Sequence, residues 1–378
     1  MLDASVLVPT HCRGAILDRV LDAWERQEPT DLRFEVVVVD DGSAQSAPTD
    51  DTLARLMARR TRRFALRVAT QPNAGPAAAR NRALRRARGD LVLITGDDIE
   101  PAPDLLAQHL RAHREMGHSS PRPLAVVGLT RWPDKPPATA TMRHVDGPGA
   151  QQFSYAGFRD GASYDFRHLY TSNVSLPRGV LAGEPGPFAE IFPAAAFEDA
   201  ELGHRLAYGG LEIVYRAAAV AFHHHPYRAD AFFRRQIRCG EMAALLWQRA
   251  PELEKWLGIE ALERRRLELL AADRSSRQRL ADRAERYEAG RDRALRVAER
   301  LDAKDPPGID GLLWTLFALG YLEGLATAVC EPVTARSLLT DHLSRHLPAA
   351  LRALANPMVG PSPVSAADQQ ALLGWLDV

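Results

Sequence analysis

This 378-residue sequence has no excess of positive or negative charge, few cysteines and few long apolar runs. Lysine plus arginine and aspartate plus glutamate both total 48, so whole-chain charge gives no argument for a nucleic-acid or acidic-membrane partner. Cys12, Cys239 and Cys330 are too far apart for a metal-ligand spacing or a disulfide framework. We therefore expect reduced, mostly structural thiols and no nucleic-acid partner.

Signals for export or membrane insertion are also lacking. The opening stretch MLDASVLVPTH has neither the basic start nor the sustained apolar run of a signal peptide. The most apolar later segment, residues 311–329, contains Glu323 and several glycines, which is typical of a buried or amphipathic helix. We predict no transmembrane segment and a cytoplasmic protein, with a peripheral position at the inner face of the membrane as the alternative.

Apolar runs alternate with helix-period segments over the first hundred residues. The alternation predicts an α/β fold, with a Rossmann-like, mostly parallel sheet and helices on both of its faces. One of the helices is expected from Thr49 to Thr61. The predicted strands cover residues 5–9, 34–39, 65–69 and 91–94.

Composition changes twice beyond these strands. From Gly117 to Pro193 the chain is rich in proline, glycine and aromatic residues, which favours loops that form an acceptor pocket. After about residue 229, arginine, glutamate, leucine and alanine dominate, which predicts helices. We predict a catalytic domain over residues 1–228 and a helical C-terminal region over 229–378, which shapes the acceptor site or forms a homodimer interface.

Adjacent carboxylates follow two of the predicted strands. Asp97 and Asp98 come directly after an apolar strand, and their hard oxygen ligands suit Mg²⁺ or Mn²⁺. Asp40 and Asp41 end another strand and offer acceptors for a base N–H or for ribose hydroxyls. Aspartate also caps helices and forms turns, so each pair taken alone has an ordinary structural explanation.

Two segments supply groups for an anion and for a proton. Residues 71–81 form a turn cluster that opens onto a helix and places backbone N–H groups and Arg80 near an anion, although a plain surface arginine is the alternative. Glu198 and Asp199 lie in the first turn of another predicted helix, where the helix dipole stabilises ionised acids. They are either ordinary capping residues or include a general base for an acceptor hydroxyl.

Three consecutive histidines end the last predicted strand. Strand alternation places His223 and His225 on one face and His224 on the other. One of the three is expected to complete a metal site.

Six segments, taken in order, resemble the successive motifs of family 2 inverting glycosyltransferases over about residues 5–226. They are VLVPTH, VVVVDDGS, NAGPAAARNRAL, GDLVLITGDDI, SNVSLPRGVL and FEDAELGHRL. The resemblance implies a GT-A fold and a hexosyltransferase that uses a nucleoside-diphosphate sugar, with a UDP-sugar favoured. It also implies a Mn²⁺ or Mg²⁺ cofactor, a glycan or other hydroxyl acceptor, and inversion through one direct displacement.

The resemblance also implies roles for individual residues. Asp199 would be the general base, with Glu198 as its neighbour in the family's Glu-Asp pair. The donor nucleotide would contact Pro9, Thr10, Asp40, Asp41, Asn73, Arg80 and Asp97. The metal would be held by Asp97, Asp98 and His223, and strand alternation adds His225 on the same face as His223.

One departure from the family pattern keeps other functions open. Many relatives have Asp-x-Asp where this chain has Thr95-Gly96-Asp97, so Asp98 would replace the first carboxylate. A degenerate fold that binds a nucleotide or glycan as a scaffold is one alternative, against which Asp97, Asp98 and Asp199 argue. A sugar nucleotidyltransferase is another, but residues 8–20 hold one glycine and two arginines rather than a glycine- and basic-rich loop.

Overall fold

One nine-stranded sheet forms in the part of the chain that the structure describes. The structure is a computed structural model, and it describes residues 2–28, 31–47, 50–117, 122–133, 139–153, 155–182, 186–354 and 364–365. The strands are β1 (Ala4–Thr10), β2 (Phe34–Asp40), β3 (Ala65–Thr70), β4 (Leu91–Thr95), β5 (Ile99–Pro101), β6 (Leu124–Arg131), β7 (Ser163–Tyr164), β8 (Asn173–Pro177) and β9 (Glu212–His223).

Helices lie between the strands and dominate the chain after the sheet. The first seven are α1 (Gly14–Glu25), α2 (Ser43–Ser46), α3 (Thr52–Ala58), α4 (Gly75–Leu84), α5 (Leu105–Gly117), α6 (Ala140–Asp146) and α7 (Glu198–Tyr208). The remainder are α8 (Ala229–Arg249), α9 (Ile259–Ala271), α10 (Arg274–Ala284), α11 (Tyr287–Asp302), α12 (Ile309–Val329) and α13 (Pro332–Leu354). The predicted α/β class with a helical C-terminal region is confirmed.

The four strands predicted from the apolar runs form the parallel half of the sheet. The strand order is β3-β2-β1-β4-β8-β6-β9-β5, and β3, β2, β1 and β4 run parallel to one another. Every residue of β2 is buried, as expected for a parallel strand that is covered on both faces. Because the strands run in parallel, the carboxyl ends of β1, β2 and β4 meet at one edge of the sheet.

The second half of the sheet is mixed in direction. Strand β8 runs antiparallel to both β4 and β6, β6 and β9 are parallel, and β5 and β7 each run antiparallel to β9. The long β9 therefore returns to the sheet with its last residue, His223, opposite Ile99 of β5, just beyond the end of β4.

The helix expected from Thr49 to Thr61 is shorter in the structure. Thr49 lies outside the described residues, and α3 covers only Thr52–Ala58. The Asp50 carboxylate accepts a hydrogen bond of 2.9 Å from the Thr52 backbone N–H, which satisfies a donor at the start of the helix. The chain is already extended at Arg59, so the helix ends there.

Contacts divide the chain into two units, residues 1–136 with 155–225, and residues 137–154 with 226–378. The domain limits 1–228 and 229–378 stay a prediction. Residues 355–363 and 366–378 of the predicted helical region lie outside the described part of the chain.

Two helices of the second unit pack so closely that glycine is required between them. A Cβ atom at Gly324 of α12 would lie 1.9 Å from the Ile237 carbonyl oxygen of α8, and one at Gly240 would lie 2.1 Å from the Tyr321 carbonyl oxygen. Among the described residues, α12 is the one helix long and apolar enough to cross a membrane by length and composition, and 56% of its most apolar window is buried in the protein.

Candidate active site

The ends of β1, β2 and β4 bring predicted donor-site residues together. The Thr10 hydroxyl donates to Asp97 Oδ2 at 2.7 Å, and the Asp41 backbone N–H donates to the Thr10 carbonyl oxygen at 2.9 Å. Thr10 lies opposite Asp40 in the β1–β2 register. Burial, and then the neighbouring Asp98 carboxylate, raise the pKa of Asp97 to about 6. Thr10, Asp40, Asp41 and Asp97 therefore share one buried edge.

The Asp40 and Asp41 carboxylates already bind protein groups. Asp40 Oδ1 accepts from both the backbone N–H and the hydroxyl of Ser43. The Asp41 carboxylate accepts from the backbone N–H groups of Ala74, at 3.0 Å, and Gly75, at 2.9 Å. Both acids thus hold turns together, and a nucleoside contact through their remaining lone pairs stays a prediction.

Asn73 and Pro9 are the other donor-site residues predicted near this edge. Asn73 Nδ2 donates to the Asp41 carbonyl oxygen at 3.1 Å. Its backbone approaches Gly42 so closely that a Cβ there would lie 2.6 Å from the Asn73 nitrogen. Pro9 is an inner residue of β1, opposite Val39.

Arg13, which was absent from the predicted site, binds the acidic pair. Its Nη1 atom lies 3.2 Å from Asp97 Oδ1 and 2.5 Å from Asp98 Oδ2, and its Nη2 atom lies 2.9 Å from His225 Nδ1. The residue before it, Cys12, has a left-handed φ of 54°, which is uncommon for a residue other than glycine. Arg13 follows β1 at the same sheet edge as the acids, and the strand-end argument applied to it would have included it.

Two of the three histidines face Asp98, as strand alternation predicts. His223 Nε2 lies 3.6 Å and His225 Nδ1 lies 3.5 Å from Asp98 Oδ2, whereas His224 Nε2 lies 2.7 Å from Glu100 Oε2. Burial would raise the pKa of Asp98, but its contact with His223 and the charge of Arg13 outweigh burial and hold it well below the usual value.

The predicted metal ligands gather in one place without forming a simple metal cage. Carboxylate oxygens and imidazole nitrogens suit Mn²⁺, and Asp97, Asp98, His223 and His225 provide both. Among the described residues, however, no group of three or more histidine, cysteine, aspartate or glutamate side chains has an arrangement that would hold a metal ion. The donor chemistry fits a divalent cation, while the arrangement surrounds the guanidinium of Arg13.

A buried ion pair forms the second half of the site. Arg80 Nη1 on α4 lies 2.7 Å from Glu198 Oε1 on α7, and the two side chains are only 8% and 3% exposed. The Arg80 guanidinium also lies over the ring of Phe188, 5.6 Å from its centroid. Arg80 is therefore a buried, paired residue and not a surface arginine.

Asp199 is a carboxyl group whose surroundings favour its protonated form. Burial, and then the charge of Glu198, raise its pKa to about 7, so both of its protonation states are accessible near neutral pH. Its Oδ1 atom accepts from the Ala200 backbone N–H at 2.8 Å. The helix begins after Phe197, whose left-handed φ of 66° is strained for a side chain of this size.

Strands β4 and β8 link the acidic pair after β4 to the segment that contacts Asp199. Thr95 lies opposite Asn173, and its hydroxyl donates to the Ser172 carbonyl oxygen at 2.9 Å. The Thr171 backbone N–H, one residue earlier, donates to Asp199. Thr95 therefore joins β4 to the segment that carries a contact of Asp199.

Residues 5–141 match a family model described as Glycosyl transferase family 2. Validoxylamine A glucosyltransferase from Streptomyces hygroscopicus subsp. limoneus is 30% identical over 231 residues, which are 55% of this chain and 48% of that protein. The uncharacterized glycosyltransferase YfnE from Bacillus subtilis (strain 168) is 36% identical over 112 residues, 30% of this chain and 27% of that protein. The chain thus spans about half the length, or less, of these curated relatives.

Among solved structures, the chain is similar to the mannosyltransferase PcManGT from Pyrobaculum calidifontis, determined in complex with GDP-Man and Mn²⁺. The TM-score is 0.51 at 20% identity, with 99% of this chain and 85% of that chain covered. At this identity the likeness concerns the fold, and it agrees with the GT-A fold that the motifs predict.

Proposed function

We propose that this chain transfers a hexose from a nucleoside-diphosphate sugar to an acceptor hydroxyl with inversion. The match of residues 5–141 to the model described as Glycosyl transferase family 2 supports this proposal. The observation that carries the proposal is Asp199, a carboxyl group with a pKa raised to about 7 at the start of α7. Such a group exists largely as the base at slightly alkaline pH and is strong enough to accept a proton as a hydroxyl attacks.

In the proposed step, Asp199 takes the proton of the acceptor hydroxyl while the hydroxyl oxygen forms a bond to the anomeric carbon. The bond from that carbon to the diphosphate oxygen breaks, and the nucleoside diphosphate leaves with the electron pair. One displacement on the face opposite the leaving group inverts the anomeric centre. Glu198 makes Asp199 more basic through its charge, and Arg80 holds Glu198 in place.

The donor is proposed to bind at the shared ends of β1, β2 and β4. Thr10, Asp40, Asp41 and Asn73 would recognise the nucleoside through lone pairs and donors that their internal hydrogen bonds leave over, and a UDP-sugar is favoured. Arg80 would add positive charge toward the diphosphate, in addition to its pairing with Glu198.

A divalent cation, Mn²⁺ or Mg²⁺, belongs to the proposal. Asp97 and Asp98, together with His223 and His225, are the residues that would hold it. When bound, such an ion supplies positive charge that stabilises a diphosphate leaving group. The protein's own part is to gather these carboxylates at the carboxyl end of β4, where Thr10 orients Asp97.

A thermal-shift panel tests the proposal directly. The full chain is melted with UDP-, GDP- and dTDP-sugars, each with Mn²⁺ and with EDTA, because a ligand that binds the folded state raises the melting temperature. At a ligand concentration about 100-fold above Kd, the stabilisation is about 2.7 kcal/mol. A metal-dependent shift with one nucleotide, UDP by expectation, supports the donor site.

Two outcomes count against the enzyme. No shift with any nucleotide sugar would contradict a donor site at this sheet edge. A shift without turnover, unchanged in Asp199→Ala, would favour the scaffold alternative, since an enzyme loses turnover in that variant while it keeps donor binding.

A further inference from the structure

We propose that Arg13 is a resident cation of the acidic cluster and competes with a divalent ion for the same donor atoms. The inference rests on the proposed function, because it concerns the cation site assigned above to Asp97, Asp98 and His225. It assigns to Arg13 control over how tightly that site takes up a metal.

The geometry of the guanidinium is the first argument. Two of its nitrogens reach three side chains from two distant segments of the chain, at 3.2 Å to Asp97, 2.5 Å to Asp98 and 2.9 Å to His225. The two acids follow β4, and the histidine follows β9. A planar group with a fixed fork of donors is suited to bridging such a set, whereas a point charge on a flexible chain is not.

The chemistry of the three acceptors is the second argument. A guanidinium can only donate hydrogen bonds, so His225 Nδ1 presents a lone pair to Arg13 rather than a proton. The carboxylate oxygens of Asp97 and Asp98 likewise present lone pairs. The one lone pair of His225 Nδ1 cannot serve Arg13 and an ion together. At the two carboxylates, the charge of a divalent cation would repel the guanidinium, so Arg13 and the ion oppose each other there.

The position of Arg13 allows exchange. Its side chain is 36% exposed, whereas those of Asp97 and Asp98 are 9% and 14% exposed, so Arg13 is more open to solvent than the acids that it contacts. Arg13 lies between Cys12, which has a left-handed φ, and the first residue of α1. Arg13 therefore neutralises two buried carboxylates until a cation or the donor displaces it.

Direct measurement of Mn²⁺ binding tests this, by titration calorimetry or by the EPR signal of free Mn²⁺, with no sugar donor present. Arg13→Gln is expected to bind Mn²⁺ at least about tenfold more tightly than the wild-type chain, because a competing charge is gone. Arg13→Lys keeps the positive charge but lacks the planar set of N–H donors, so its Mn²⁺ affinity should lie between those of the wild type and Arg13→Gln. Arg19→Gln is the matched control, because Arg19 lies on α1, is 57% exposed and pairs with Glu100 instead.

Equal or weaker Mn²⁺ binding by Arg13→Gln than by wild type would overturn the proposal, provided that both melt cooperatively. Tighter binding by Arg19→Gln to the same extent would also overturn it, since the effect would then be one of net charge. If the proposed metal site itself is wrong, the result differs from both of these outcomes. No variant would then bind Mn²⁺, and adding Asp98→Asn to Arg13→Gln would not change Mn²⁺ binding. Loss of Mn²⁺ binding on adding Asp98→Asn would place the ion at this site.

Discussion

Burial raises the pKa of two carboxyl groups at the site, but their neighbours give them different characters. Asp97 lies beside Asp98 and accepts hydrogen bonds from Thr10 and Arg13, which favour its ionised form. Asp199 lies beside Glu198, whose charge adds to the effect of burial, and its pKa is about 7. At the residue scale, burial and a neighbouring carboxylate raise the pKa of both acids, to about 7 for Asp199 and about 6 for Asp97.

The first residue-scale prediction concerns the pH dependence of activity. If Asp199 is the base proposed above, turnover should rise with pH through about 7, because a base accepts a proton only in its ionised form. Asp199→Asn should lower kcat about 10²–10⁴-fold and remove this rising limb. Steady-state kinetics between pH 5 and pH 9 check both statements.

Asp146→Asn is the matched control for that variant. Asp146 on α6 is also a carboxyl group whose pKa is raised to about 6 by burial, but it belongs to the second unit and has no proposed role in proton transfer. It should keep the wild-type pH profile. The same loss of turnover in both variants would contradict a specific role for Asp199.

Asp199→Asn should also stabilise the fold, with a defined pH dependence. The folded-state pKa of about 7 exceeds the usual 3.8, so the unfolded chain releases this proton at lower pH than the folded chain. Wild-type stability from this group is then lost as pH rises from about 4 to about 7, by linkage. The difference in melting temperature between the variant and the wild type should therefore increase across that window, by roughly 5 °C. A constant difference at all pH values would contradict the raised pKa.

At the element scale, the helices of the second unit depend on glycine for contact. Gly324→Ala should destabilise the fold by about 1–3 kcal/mol, because the added Cβ would lie 1.9 Å from the Ile237 carbonyl oxygen and would force α12 away from α8. Chemical denaturation measures the loss. Gly311→Ala on the same helix is the control: its Cβ would meet Ala350 at an ordinary 3.5 Å, so it should be neutral or stabilising. Equal effects of both changes would argue against the close contact.

Element types could largely be predicted, while strand directions could not. Strands β1, β2, β3 and β4 can be recognised in the sequence because each is a short, mainly apolar run that is bounded by turn residues. The antiparallel insertion of β8 between β4 and β6 has no such local signal. It depends on pairing between segments about 80 residues apart, such as Thr95 with Asn173.

At the scale of the whole molecule, we propose a homodimer through the C-terminal helices. Leu267 and Leu270 on α9 are each 54% exposed, and Val333 at the start of α13 is 80% exposed, which leaves apolar surface in this unit. Light scattering of the full chain should then give about twice its 41.7 kDa mass. The double change Leu267→Glu and Leu270→Glu should lower the mass to that of one chain. A wild-type mass of 41.7 kDa at micromolar concentration would contradict the dimer.

Local pattern alone determined the strands that end in acids, the helix that begins with Glu198 and Asp199, and the alternation of His223, His224 and His225. These features depend on periodicity and on residues adjacent in the chain. Only the tertiary structure decided that Arg13 binds the acidic pair and that Arg80 is buried against Glu198. Arg13 and His225 are 212 positions apart, and Arg80 and Glu198 are 118 apart. The ion-pair partner of an arginine and the pKa of a carboxyl group depend on burial and on charges from such distant segments. Periodicity within one segment carries no information about them.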